Sequence, residues 1–263
     1  MTGTGTQTDP FIVDNWADFC TIDTSSTEIY VKWADSENKV IDFNSIQPEG
    51  FTEVIKMPAN VDFNGWTLRN FHSTASSAFE GASSANHSSI NNLVIENFYC
   101  TGRYIFAHIN SRNGIFSGIA NGVSAVTFGY YSDFSCCSVN LQMHSAAQMC
   151  IFSNSACEKS DIILDISGSR VNITSDCAAY NSRFSGKIQV NGNNVSISIG
   201  YSSIFNIVSN QPLHCPTSNG ISIFNLDSAQ NTSTSDKNLV GVTTEQLKDA
   251  TYLASIGFPI GVG

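Results

Sequence analysis

The side chains that could do chemistry are sparse, and their spacing limits what they could do. Asp161 and Asp165 are four residues apart, so on a strand both project from one face. Two carboxylates on one face are what acid/base or nucleophilic cleavage of a glycosidic bond uses. Ile163 lies between them on that same face, which equally fits a solvated strand surface. The other acids of this stretch, Asp133, Glu158 and Asp176, do not recur in register as an extended acidic cleft requires, and Arg170 and Arg183 are the nearby bases. The five histidines, His72, His87, His108, His144 and His214, have no metal-ligand partner at helical or hairpin spacing. His144 with Cys150, or His214 with Cys215, would make a thiol–imidazole pair, and the second has poor geometry because adjacent residues on a strand face apart. No glycine-rich phosphate loop and no nucleophile elbow is present. Spacing therefore nominates no catalytic residue, no metal site and no cofactor. The aromatics offer more. Phe128 has its ordinary place in a core, whereas Tyr130, Tyr131, Tyr180 and Tyr201 are candidate glycan contacts, each with an apolar face to stack on a sugar ring and a polar tip.

The elements that must carry these side chains show themselves by repetition. Short strings alternating apolar and polar residues return through the middle of the chain: Leu93-Val94-Ile95, Ile115 to Ile119, Val139 to Met143, Ile162 to Ile166, Ile188 to Val190, Val195 to Ile199 and Ile221 to Leu226. From Leu93 through Ile115, Val139, Ile162 and Ile188 the steps are 22, 24, 23 and 26 residues. Period-two alternation inside a repeat of that length marks stacked strands in a solenoid. Leu93, Ile95, Val139, Leu141, Ile197 and Ile199 are the expected inward residues. Asparagine gathers near the expected corners, at Asn91, Asn92, Asn97, Asn110, Asn113, Asn172, Asn193, Asn194 and Asn225. It tolerates left-handed backbone and can bond to the next coil.

Composition agrees. Only 13% of the 263 residues are charged, about half the usual share, with Ser, Thr, Asn and Gly supplying the polarity. The net charge of −10 is uneven: residues 1–96 hold 13 acids against 4 bases, residues 97–226 hold 5 against 6, and residues 227–263 hold 4 against 2. No Lys/Arg stripe exists, which argues against a nucleic-acid partner. No apolar run approaches the ~18–20 residues of a membrane span. The opening Met1-Thr2-Gly3-Thr4-Gly5-Thr6 lacks a basic and an apolar region, so no export signal is read there and assembly in the cytosol is expected. The eight cysteines contain no Cys-x-x-Cys pair and are expected to be reduced, mostly buried thiols.

Along the chain, residues 1–10 read as a flexible or extended leader. Phe11-Ile12-Val13 is a strand, followed by a short helix capped by Asp14 or Asn15. Glu28 to Trp33, Val40 to Phe43 and Val54 to Met57 are further strands. Asn64-Gly65 turns a corner in Val61 to Phe71, and residues 72–89 read as a loop leaving the rod. Coils run from about 90 to 226. A polar linker follows, then a helix from Thr244 with Thr243 and Gln246 in a capping box. The apolar tail containing Tyr252, Leu253, Ile256, Phe258 and Ile260 either caps the last coil or docks on a partner. The expected organisation is a leader and cap region over 1–60, a helix of coils over 61–226 and a capping or docking segment over 227–263.

Three stretches carry a resemblance. Gly3-Thr4-Gly5-Thr6 with Asp9-Pro10-Phe11-Ile12-Val13, Trp16 and Phe19 is similar to a "GTG…DPY-I" opening with a "W-x-x-F" helix. Val61 to Asn70 resembles an "I-D-G-N-G-x-T-I-x-N" rung. Thr244-Glu245-Gln246-Leu247-Lys248 with Gly257-Phe258 resembles a "T-x-E-Q-(L/M)-K-D … G-(F/W)" tail. Together they resemble the right-handed parallel β-helix proteins of the pectate-lyase-like class, as found in phage tail proteins and bacterial surface proteins. The resemblance implies an all-β, right-handed parallel β-helix with a short N-terminal cap helix and a C-terminal capping segment. It further implies a non-enzymatic component of a phage-type particle, on capsid or tail, touching bacterial surface glycans. Its partners would be other virion proteins and copies of itself, a trimer being common among such proteins, and its location the virion or, alternatively, the bacterial surface or exterior. The alternative activity on this scaffold is that of a polysaccharide lyase or glycoside hydrolase.

Overall fold

A strand with one apolar face cannot bury it alone, so the recurrent strings have to stack. A computed structural model of the chain describes residues 1–81, 86–122, 125–145, 148–191, 195–201, 203–211, 213–214, 222–225 and 239–258. Its strands form a fifteen-stranded and an eleven-stranded sheet, with neighbouring strands parallel. The protein is an all-β parallel β-helix with a few short helices.

The eleven-stranded sheet is one flank. Down its centre runs an inward column of register partners: Ile41, Leu68, Ile95, Phe116, Val139, Ile162, Phe184, Phe205 and Phe224. All are buried. The coil shortens from 27 residues (Ile41 to Leu68) to 19 (Phe205 to Phe224). The fifteen-stranded sheet has two arms, which make the other two flanks. One arm contains Ser77–Glu80, Tyr104–Ala107, Val126–Tyr130 and Gln148–Ser153. The other contains Ser88–Asn91, Ile109–Arg112, Asp133–Ser135 and Ala156–Glu158. They meet in the long strand Arg170–Tyr180, which pairs with both Gln148–Ser153 and Ala156–Glu158.

Corners are made by single left-handed residues. Asn64, Asn92, Asn113, Cys136, Lys159 and Asn181 turn the chain onto the eleven-stranded sheet, with φ between 47° and 55°. Asn113 and Asn92 donate along the axis to Asn92 and Asp62, at 3.2 and 2.9 Å. After Lys159 and Asn181 the next residue, Ser160 or Ser182, is a buried serine. The backbone N–H groups of Cys137, Ser160 and Ser182 donate to the hydroxyls of Ser160, Ser182 and Ser203, one coil on, at 3.0, 3.3 and 3.3 Å. A buried hydroxyl here satisfies a backbone donor that no strand can reach.

Several local expectations are met. Helix α1 (Trp16–Cys20) is capped by the Asn15 side chain, and its Trp16 and Phe19 pack on Phe43 and Trp33. Asn64 and Gly65 both have positive φ at their corner. Helix α3 follows α2; these span Phe43–Ile46 and Thr244–Leu247, and α3 has the Thr243–Gln246 capping box. Leu93, Ile95, Val139 and Leu141 are buried, while the side chains of Ile197 and Ile199 lie outside the described residues.

Others are corrected. Within 72–89 the described residues do not loop out: His72–Ser73, Ser77–Glu80 and Ser88–Asn91 are strands of the coils. Small residues are tolerated there because bulky neighbours, Phe71 and Phe79, fill the interior. Ile115 is 50% exposed, and Phe116 takes the inward place. Ile188 belongs to a second inward column with Met143 and Ile166, and Val195–Tyr201 lies on the fifteen-stranded sheet. A one-residue slip moves a strand's whole apolar set to the other face, so a string is aligned only when its partners are known. The leader is neither free nor extended: the Tyr30 N–H donates to Gly5 O at 2.9 Å, and Thr2 bonds Ile12 in both directions. Positive φ at Gly3 and Gly5 lets it fold back. The sheets also cross the expected boundaries, starting at Phe11–Val13 and continuing to Leu239–Val242. Among the described residues no helix is long and apolar enough to cross a membrane.

Candidate functional site

The corner between the two arms of the fifteen-stranded sheet gathers side chains that coil packing does not require. Ala107, Tyr130 and Ser153 are register partners at the ends of their strands. The next residue in each coil, His108, Tyr131 and Asn154, turns the corner with φ of 57°, 46° and 50°. Asparagine adopts this geometry readily, whereas a bulky ring there is an outlier that the surrounding fold must hold in place. Ile109 and Ser132 then point inward. The Ile109 N–H donates to the Ser132 hydroxyl at 3.1 Å and the Ser132 N–H to the Ser155 hydroxyl at 2.9 Å, which pins the corners to one another.

On this frame the rings form a row. Tyr104 and Tyr130 stack with centroids 4.3 Å apart and planes at 16°. Tyr131 meets Tyr130 edge-on at 4.7 Å and stacks on His108 at 5.5 Å. His87 lies 5.9 Å from His108 and hydrogen-bonds Asn110 through Nδ1 at 3.0 Å. Tyr131 is exposed, and Tyr104, Tyr130, His87 and His108 are half-buried. Beside the tyrosines is a depression of about 150 Å³ lined by Arg103, Tyr104, Thr127, Tyr130, Gln148 and Ser153, among others. The Arg103 guanidinium lies 5.1 Å from the Tyr104 ring centre.

Burial pushes the His108 imidazole below its ordinary pKa; neighbouring His87 and Lys56 push the same way, and Glu80 opposes them. Its Nδ1 is buried without a hydrogen-bond partner. Burial also raises the Tyr104 phenol. Lys56 and Glu80 pair at 3.1 Å.

The other sequence candidates are spread out. Tyr130 and Tyr131 are brought together; the side chains of Tyr180 and Tyr201 lie outside the described residues. Asp161, Ile163 and Asp165 do share an exposed outer face of the eleven-stranded sheet. Asp161 is 3.8 Å from Arg183, and Asp165 is the register partner of Lys187, so each acid has a base on the adjoining strand. Asp133 accepts from the Ala156 N–H at 2.8 Å, and Glu158 pairs with Lys159 at 3.4 Å. His72 packs edge-on against Tyr99. His144 bonds Ser167 at 2.8 Å, on the opposite sheet from buried Cys150. Cys100, Cys137, Cys150 and Cys157 are buried thiols, with burial holding Cys100 up at about 12. Among the described residues no three His, Cys, Asp or Glu side chains gather as a metal site would need. Helix α4 (Ala250–Ser255) places Tyr252 and Leu253, with Ile256 and buried Phe258, against Ile223 and Val242 of the last coils. Ile260 lies outside the described residues.

Tyr104, Arg103, His87 and His108 were not singled out from the sequence. A signal existed: His108, Tyr131 and Asn154 are 23 residues apart, one coil each, and every one precedes an inward residue. Comparison with protein-family models, with curated proteins and with solved structures found no match to this chain.

Proposed function

We propose that this protein is a non-enzymatic structural and binding component of a phage-type particle, decorating the capsid or associated with the tail, and that its flank contacts bacterial surface glycans. The observation that carries the binding half is the row Tyr104–Tyr130–Tyr131–His108, in which Tyr131 and His108 sit at left-handed corners and Tyr104 and Tyr130 line a polar depression. Aromatic faces next to hydroxyl and amide groups suit a sugar, which has apolar C–H faces and a rim of hydroxyls. The particle half rests on the resemblance of the opening, of the Val61–Asn70 rung and of the tail. Other particle proteins and further copies of the chain are the expected partners, with the virion as location.

The non-enzymatic reading is supported by the bases beside the candidate acids: Arg183 lies 3.8 Å from Asp161, and Lys187 is the register partner of Asp165. A second reading, a polysaccharide lyase or glycoside hydrolase, draws on His108. Burial lowers the pKa of its imidazole, which lies beside the tyrosines as a general base would. The test is adhesion to encapsulated bacteria and to the same cells stripped of capsule. Binding lost with the capsule, and lost in Tyr130→Ala with unchanged circular dichroism, is the expected result. Adhesion indifferent to both would refute the proposal.

A further inference from the structure

Tyr104 and Tyr130 hold their phenols face to face. The ring centres are 4.3 Å apart and the planes are 16° from parallel. The chain has eight tyrosines, and among the described residues no other two stack in this way; Tyr130 and Tyr131 meet at 84°. The stacked rings come from successive coils, on the paired strands Tyr104–Ala107 and Val126–Tyr130. Both are half-buried and line the same depression, so a small oxidant reaches them. Arg103 covers one face of Tyr104, 5.1 Å from its centre, so the face left for coupling is the one against Tyr130.

A phenoxyl radical carries its unpaired electron in p orbitals perpendicular to the ring, shared among the oxygen and the ortho and para carbons. Two such radicals therefore join along the ring normal. Stacked rings aim these orbitals at one another, and rings at 84° do not; a pair held in the reacting geometry couples ahead of the rest. We propose that Tyr104 and Tyr130 are a site of oxidative cross-linking, joined ring to ring as an o,o′-dityrosine by a small one-electron oxidant such as a peroxide-derived radical. Each phenol gives one electron to an oxidant molecule and its hydroxyl proton to water. A carbon–carbon bond then forms between the ortho carbons, and the hydrogen on each of those carbons moves as a proton to that ring's oxygen, which restores both phenols. The link ties one coil to the next and so constrains the unfolded chain. It does not depend on glycan binding.

The test exposes the full chain, at low concentration, to a light-activated ruthenium tris-bipyridyl complex with persulfate, a small one-electron oxidant. The monomer fraction is then read by dityrosine fluorescence, by intact mass and by peptide mapping. The expected product is a monomer lighter by two hydrogen atoms, with the peptides that hold Tyr104 and Tyr130 joined. Tyr104→Phe and Tyr130→Phe keep the stacked rings but remove a hydroxyl, and each should lower the monomer's dityrosine fluorescence about tenfold. Tyr131→Phe and Tyr99→Phe should leave it in place. Fluorescence that survives Tyr104→Phe, or links found only between separate molecules, would overturn the inference. So would oxidation that stops at Cys150, whose thiol lines the same depression and would be recovered as a sulfenic or sulfinic acid with no cross-link.

Discussion

Tyr131 occupies a corner where the next coil has Asn154, and that contrast defines its role. A tyrosine at φ 46° carries backbone strain that asparagine avoids, of order 1 kcal/mol. Tyr131→Asn should therefore hold or raise the melting temperature while weakening glycan binding, a result a purely structural tyrosine would not give. His108 titrates out of step with an ordinary imidazole. Its pKa is depressed in the fold from 6.5, so the unfolded chain takes up the proton first. The contribution of a neutral His108 is complete above pH 6.5 and is lost as pH falls below it toward the folded value. Thermal melts from pH 7 to 5 should show stability declining, and His108→Asn, which suits the left-handed backbone, should flatten that decline. A wild-type curve no steeper than that of His108→Asn would show that burial does not keep this ring neutral. The tyrosine contacts were legible from residue type alone. Arg103 and Tyr104 were not, because their significance comes from which residues lie one strand away.

At the scale of elements, the corner serines and the inward columns set stability. The Ser155 hydroxyl accepts from the buried Ser132 N–H at 2.9 Å. Ser155→Ala leaves that donor unpaired and should cost about 1–3 kcal/mol in chemical denaturation; a change within error would mean another acceptor takes over. Val139 is fully buried between Phe116 and Ile162, so Val139→Asp should cost several kcal/mol, enough to unfold the chain or nearly so. The strands, the α1 cap and the capping box of α3 were readable because each depends on a few consecutive residues. The serine ladders and the true alignment of the coils were not, since both depend on residues about 23 positions apart. Ile115 opens its string, yet Phe116 is the inward residue, and period-two alternation alone does not distinguish the two. Residues 72–89 were misread for a related reason: small residues suggest a loop unless the large side chains that fill the space beside them are known.

At the scale of the whole molecule, a solenoid offers long flanks and two ends, and these have different characters here. The last coils are covered by Phe258 with Tyr252, Leu253 and Ile256. Phe258→Ala should lower stability by about 3 kcal/mol and leave glycan binding intact, because the cap is remote in sequence and sheet position from the tyrosine row. The eleven-stranded flank carries the ion pairs Arg69–Glu96 and Arg183–Asp161, and the corner of the fifteen-stranded sheet carries the rings. Under the proposed function this corner holds a surface polysaccharide without cutting it. Size-exclusion chromatography of the protein mixed with a bacterial capsular polysaccharide reads binding and polymer length together. The wild-type chain should co-elute with full-length polymer, and the Tyr130→Ala/Tyr131→Ala double variant should elute alone. Shortened polymer, or a double variant that still co-elutes, would contradict it.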